Sequence, residues 1–313
     1  MNFSPLFSVS NSLSLQLSQH APRILQKTSP AKYLSAWSAK ETPELWLTYE
    51  SLVHSCLRTG DEKSAFACLQ KLTERFGEDN ERVLAISGVY KEAVAKDERE
   101  LEKILDEYEA ILLKDPTNIP ISKRRIALLK SLGRPDQAIL ALIRLLDTSP
   151  NDAENWAELS DLYVAECMYK QAVFALEELL LISPYAWNIH ARLGEVLFMS
   201  SSTNYNGREK SIIEAMQCFC RSIELCDDYL RSYYGLKIVT NELQAIRNSG
   251  NQIKSQLSDQ DLKQLNELAT LKLTEISQRI MNDTTTEQDY STAEYALAKL
   301  IFDHGFTTLS IKL

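Results

Sequence analysis

Lys123, Arg124 and Arg125, followed by Lys130 and Arg134, place five cations within twelve residues of a chain whose formal net charge is −9. Like charges at this density repel one another unless something answers them. Two arrangements satisfy that condition. The stripe docks an acidic peptide or the end of a partner helix, or it is a solvated face in which Arg125 pairs with a neighbouring carboxylate. At helical spacing Lys123 and Lys130 share one face, whereas Arg125 turns towards the adjoining helix.

Other chemistry is harder to assemble from this sequence. Cys218, Cys220 and Cys226 are the tightest cysteine group, but residues two apart on a helix face different ways, and His20, His54, His190 and His304 are scattered. The six cysteines therefore read as ordinary buried thiols, which favours a reducing compartment, and no metal or other cofactor is expected. There is no glycine-rich phosphate loop, nucleophile elbow, HExxH or paired CxxC, so no enzyme is expected. The acidic balance argues against a general nucleic-acid binder. No apolar run approaches the length of a membrane span, so any membrane association runs through partners.

The elements that position the stripe follow from three prolines. Pro116, Pro150 and Pro184 stand 34 residues apart in register. That is the tetratricopeptide period, one pair of antiparallel helices per repeat. Counting Ala153 as position 1, Trp156, Leu159, Tyr163, Ala172, Leu176 and Pro184 fall at 4, 7, 11, 20, 24 and 32. The first three form one face of helix A, the alanine lets helix B approach closely, and the proline ends helix B.

The unit at 119–152 keeps Leu129, Ala138, Leu142, Leu145 and Pro150 but carries Arg125 at position 7. The unit beginning at Trp187 keeps Leu193, Gly194 and Leu197, then takes about nine extra residues within 200–210. That Ser-, Asn- and Gly-rich insertion reads as a surface loop. Weaker units lie near 46–78 and 83–118, and Tyr233 with Leu236 starts another. The expected fold is an all-α tetratricopeptide-repeat superhelix, an α-solenoid of about five repeats with C-terminal capping helices. Its groove is a surface for binding other proteins.

The expected organisation is a flexible Ser-rich extension over 1–40 leading into a helix near 31–40, a solenoid over 41–247, a polar linker over 248–260, and capping helices over 261–313. Within the last region the leucine spacing predicts a helix over 261–281 and a shorter one over 291–303. Residues 1–40 contain no Asp or Glu. That superficially matches the composition of a mitochondrial transit peptide, but the opening twenty residues give no Arg-rich amphipathic helix, which favours a flexible extension. The C-terminal Ile311-Lys312-Leu313 lacks the small residue that a peroxisomal signal requires.

Tetratricopeptide co-chaperones grip a C-terminal carboxylate with Lys at helix A position 5 and Asn at position 9. Here Lys123 occupies position 5, but position 9 is Ala127, then Asp161, then Glu195 in successive units. The clamp is missing. Asp161 and Glu195 repel such a ligand and suit a basic or neutral segment.

The ordered set YEAILLKDPTN at 108–118, KRRIA at 123–127, WAELSDLY at 156–163 and AVFALEEL at 172–179, with ACLQKL at 67–72, resembles subunit 2 of the endoplasmic reticulum membrane protein complex. The resemblance covers about residues 45–240. It implies a scaffold on the cytoplasmic face of the endoplasmic reticulum, binding membrane and soluble subunits of that complex, which inserts tail-anchored and multi-pass proteins. The family's basic stripe carries over onto Lys123, Arg124 and Arg125. A soluble tetratricopeptide adaptor, co-chaperone-like and organellar given the acid-free N-terminus, is the other reading of the chain.

Overall fold

The computed structural model describes residues 11–27, 43–203, 207–248, 258–282 and 292–304. Among these residues the secondary structure is helical throughout, and the chain divides into two compact units, 1–148 and 149–313. The first holds α1 (Asn11–Lys27), α2 (Pro43–Arg58), α3 (Glu62–Phe76), α4 (Glu81–Val94), α5 (Glu98–Lys114), α6 (Ile119–Ser131) and α7 (Pro135–Thr148). The second holds α8 (Ala153–Ala165), α9 (Tyr169–Ile182), α10 (Trp187–Thr203), α11 (Arg208–Leu225), α12 (Leu230–Asn248), α13 (Asp259–Asn282) and α14 (Thr292–His304). The even-numbered helices from α2 to α12 are the A helices of the repeats, and α3 to α11 are their B helices.

The punctuation read from the sequence acts at the helix ends. Pro116, Pro150 and Pro184 each stand two residues beyond a B helix, where no backbone N–H is needed to continue it. Asn118 then caps α6 by accepting from the Ile121 amide at 3.0 Å, and Asp152 caps α8 by accepting from Glu154 at 3.1 Å and Asn155 at 3.3 Å. Three A-to-B turns, after α2, α6 and α8, put one residue in the left-handed region, at Gly60 (φ 76°), Gly133 (φ 68°) and Cys167 (φ 57°). Ala65, Ala138, Ala172 and Ala215, on α3, α7, α9 and α11, are fully buried where the B helix meets its A helix.

Each unit is held by its own apolar clusters. In the first, Tyr49, Leu52 and Val53 of α2 pack with Cys68, Leu69 and Leu72 of α3 and with Val83 and Ile86 of α4. In the second, Leu176 and Leu179 of α9 pack with Leu193 and Val196 of α10, and Phe219 of α11 packs with Leu236 and Val239 of α12. Leu262 and Ala269 of α13 extend the latter cluster, and Ala298 and Ile301 of α14 pack with Leu273 and Ile276 of α13. The two C-terminal helices thus cover apolar surface on α12, which is what the end of a stack of repeats requires.

Two expectations change. Within the 1–40 extension, residues 11–27 form α1, whose Leu17, Ala21, Ile24 and Leu25 pack into the α2–α3–α4 cluster. The stripe was hidden because its remaining positions, Ser14 and Ser18, are polar residues that are nonetheless buried. The insertion at 200–210 lengthens helices where a loop is expected: α10 runs to Thr203, α11 begins at Arg208, and Ser201 is buried with its hydroxyl donating to the Phe198 carbonyl at 2.6 Å. The helix expected near 31–40 lies outside the described residues, as does most of the linker at 248–260.

Candidate partner-binding site

In the first unit the basic stripe rises from α6 and from the turn that follows it. Ile121, Ile126, Leu128 and Leu129 bury the opposite face of α6, which leaves Lys123 half-buried and Lys130 exposed. The three arginines are each answered by a carboxylate of a preceding helix. Arg124 pairs with Glu92 of α4, Arg125 donates to Glu109 of α5 at 2.9 Å, and Arg134 pairs with Glu102 of α5. Glu92 also accepts from the Tyr108 hydroxyl at 2.5 Å. Burial, and then the adjacent carboxylate, push the Tyr108 phenol far above its ordinary range, so it stays a donor.

Asp161 and Glu195 sit on the A helices of the second unit and belong to one chain of charges. Arg192 of α10 donates to Asp161 of α8 at 2.9 Å and to Glu195 at 3.2 Å. Glu195 in turn accepts from Arg231 of α12, whose Nη2 lies at 2.6 Å. Burial alone would lower the Arg231 pKa, but the hydrogen bond and charge of Glu195 outweigh it and the net shift is upward. The same construction occurs in the first unit, where Arg82 of α4 meets Glu50 of α2 at 2.6 Å.

Successive A helices within each unit are thus stitched by an arginine that reaches back to a carboxylate about one repeat earlier. Glu50, Glu92 and Glu102, the receiving groups of the first unit, do not stand out in the sequence one at a time. The signal that finds them is a spacing of 32 residues, repeated in 50/82, 92/124 and 102/134. Glu109, one helix back from Arg125, has no such signature.

The first unit also carries an open cavity of about 1210 Å³ between the C-terminal end of α3 and the N-terminal parts of α2 and α4. Trp46 and Phe76 meet edge to face on its wall with ring centroids 5.3 Å apart, and the Glu50–Arg82 pair lines it. Burial raises the Glu50 pKa against the opposing charge of Arg82. The aromatic wall with a half-desolvated ion pair can hold an apolar side chain and its peptide backbone. Among the described residues no cluster of His, Cys, Asp or Glu could hold a metal ion, and no helix is long and apolar enough to cross a membrane.

The arrangement is a set of paired helical faces, charged but internally balanced, suited to a protein ligand. Comparison with known proteins agrees in kind. Residues 86–205 match the model of the EMC2 TPR-like repeat domain. The chain is 34% identical to the TPR repeat protein oca3 of Schizosaccharomyces pombe over 207 residues, 65% of this chain and 69% of that protein. It is 31% identical over 201 residues to ER membrane protein complex subunit 2-A of Xenopus laevis, where the match spans 64% of each, just under two thirds of the relative's length. It is 26% identical to ER membrane protein complex subunit 2 of Saccharomyces cerevisiae over 261 residues, 80% of this chain and 82% of the relative. Among solved structures, a tetratricopeptide protein of Cytophaga hutchinsonii superposes with a TM-score of 0.53 at 9% identity, covering 92% of this chain and 99% of that one, which speaks for the fold alone.

Proposed function

The chain belongs to the family of ER membrane protein complex subunit 2, and from that premise we propose that it is a non-enzymatic scaffold that assembles with membrane and soluble subunits of such a complex at the cytoplasmic face of the endoplasmic reticulum. Its contribution is to hold cytosolic segments of the membrane subunits in place while the complex inserts tail-anchored and multi-pass proteins. The observation that carries this reading is the repeat of paired helices with an arginine–carboxylate stitch between A helices, which presents a preformed surface to a partner.

The partner-binding residues in this proposal are Lys123 and Lys130 on α6 of the first unit and, as a separate surface, Asp161 and Glu195 on α8 and α10 of the second. Arg124 and Arg125 hold the surface in shape through Glu92 and Glu109. Lys123 and Lys130 favour an acidic stretch of the partner, and Asp161, whose side chain is 67% exposed, favours a basic or neutral one. Helix α1 is packed into the first unit's cluster at Ala21, so its removal as a targeting peptide would uncover the part of the apolar α2–α3–α4 cluster that it packs against. That weighs against the organellar reading.

The test is depletion. Binding that occurs only in the folded state adds to its stability. In cells lacking the integral membrane subunits the chain's steady-state level therefore falls, and the double variant Lys123→Glu, Lys130→Glu shows the same fall in otherwise normal cells. An unchanged level in the depleted cells would contradict the proposal.

A further inference from the structure

A second, smaller cavity of about 270 Å³ opens between α5, α6 and α7, wholly within the first unit. Its walls are apolar at Leu112, Ile119 and Leu145, and two arginines line it, Arg125 of α6 and Arg144 of α7. No lining residue is a carboxylate. Arg125 reaches Glu109 through Nη2, but its Nε is buried and has no acceptor. Arg144 makes no ion pair among the described residues. A buried guanidinium N–H without an acceptor is a costly arrangement, and two cations beside an apolar wall mark a place where an anion lowers the energy of the whole.

We infer that this cavity takes the side-chain carboxylate of an Asp or Glu carried by a partner segment with an aliphatic neighbour. The planar carboxylate matches the guanidinium fork, and the aliphatic neighbour covers Leu112 and Leu145. A dianionic phosphate is a poorer fit, because Arg125 already shares its charge with Glu109, which leaves less than two full positive charges to answer it. The site is separate from the lysines of the groove and stands whether or not the chain assembles as proposed above.

The test is arginine side-chain NMR on the full chain, following the Nε–Hε signals during titration with a blocked leucine–glutamate–leucine peptide. Its glutamine analogue and inorganic phosphate are titrated in parallel. The glutamate peptide is expected to shift the Arg125 and Arg144 signals saturably, with affinity at least about tenfold weaker for the glutamine analogue and for Arg144→Gln, since a charge-assisted pair is lost in each. Arg144 is exposed, so that variant keeps the fold. The inference is overturned if no signal moves, if Arg144→Gln binds as the parent does, or if phosphate or the glutamine analogue binds as well as the glutamate peptide.

Discussion

Arg124 of α6 closes on Glu92 of α4, one repeat earlier, in a pair whose side chains are only 26% and 14% exposed. Tyr108 of α5 donates to the same carboxylate, so three helices meet at one charge. Removing Glu92 leaves a half-buried guanidinium and a buried phenol without their acceptor. Glu92→Ala is expected to destabilise the chain by about 2 kcal/mol. Glu107→Ala, which breaks the solvent-exposed Lys91–Glu107 pair, should cost less than about 1 kcal/mol. Urea unfolding of the two variants checks the order, and equal effects would mean that the stitch is only a surface ion pair.

Cys167 occupies the turn position that Gly60 and Gly133 hold in other repeats, with φ at 57°. A side chain there crowds the backbone, so Cys167→Gly should stabilise the chain by about 1 kcal/mol despite the entropy that glycine adds to the unfolded state. Gly133→Ala should destabilise it by a similar amount. A thermal melt that moves in the opposite direction for either variant would show that the turn relaxes freely.

Much of this fold was legible in the sequence because a repeat forces the same contact to recur. Pro116, Pro150 and Pro184 end B helices, and Ala138 and Ala172 mark where helices meet, for the same packing reason each time. Helix α1 was not legible, since Ser14 and Ser18 occupy buried positions that a hydrophobic pattern leaves blank. The insertion after Ser200 was misread because Ser and Asn suggest a loop, whereas Ser201 meets its own hydrogen-bonding need inside the helix. Of the candidate site, the cations were visible and their receivers were not. A carboxylate such as Glu92 looks like any solvated residue until its partner 32 positions on is placed beside it.

Phe219 of α11 lies against Gly194 of α10 and Gly235 of α12, and a Cβ on Gly235 would stand 2.2 Å from the ring. The ring is almost fully buried and cannot swing out without opening a void. Gly235→Ala should therefore cost about 1–3 kcal/mol through overpacking, and Phe219→Leu in the same chain should recover part of the loss. Denaturant midpoints of the single and double variants give the answer. Additive losses would show that the contact does not couple the two positions.

His54 of α2 has its pKa lowered, first by burial and then by the charges of Arg124 and Arg58. The folded state therefore binds a proton less readily than the unfolded chain. Stability is full above the ordinary histidine value of 6.5 and declines as pH falls below it towards the folded value. Urea midpoints measured between pH 7.5 and about 5.5 should fall, and His54→Gln should flatten that slope. A slope unchanged in His54→Gln would assign the titration to another group.

The central claim is that this chain is a scaffold subunit of a membrane-embedded complex. The most direct measurement is to tag it, solubilise membranes in mild detergent, and determine what co-purifies in stoichiometric amount. The account predicts a fixed set of integral membrane subunits together with a soluble one. Recovery of the chain alone, or with soluble partners only, would contradict it.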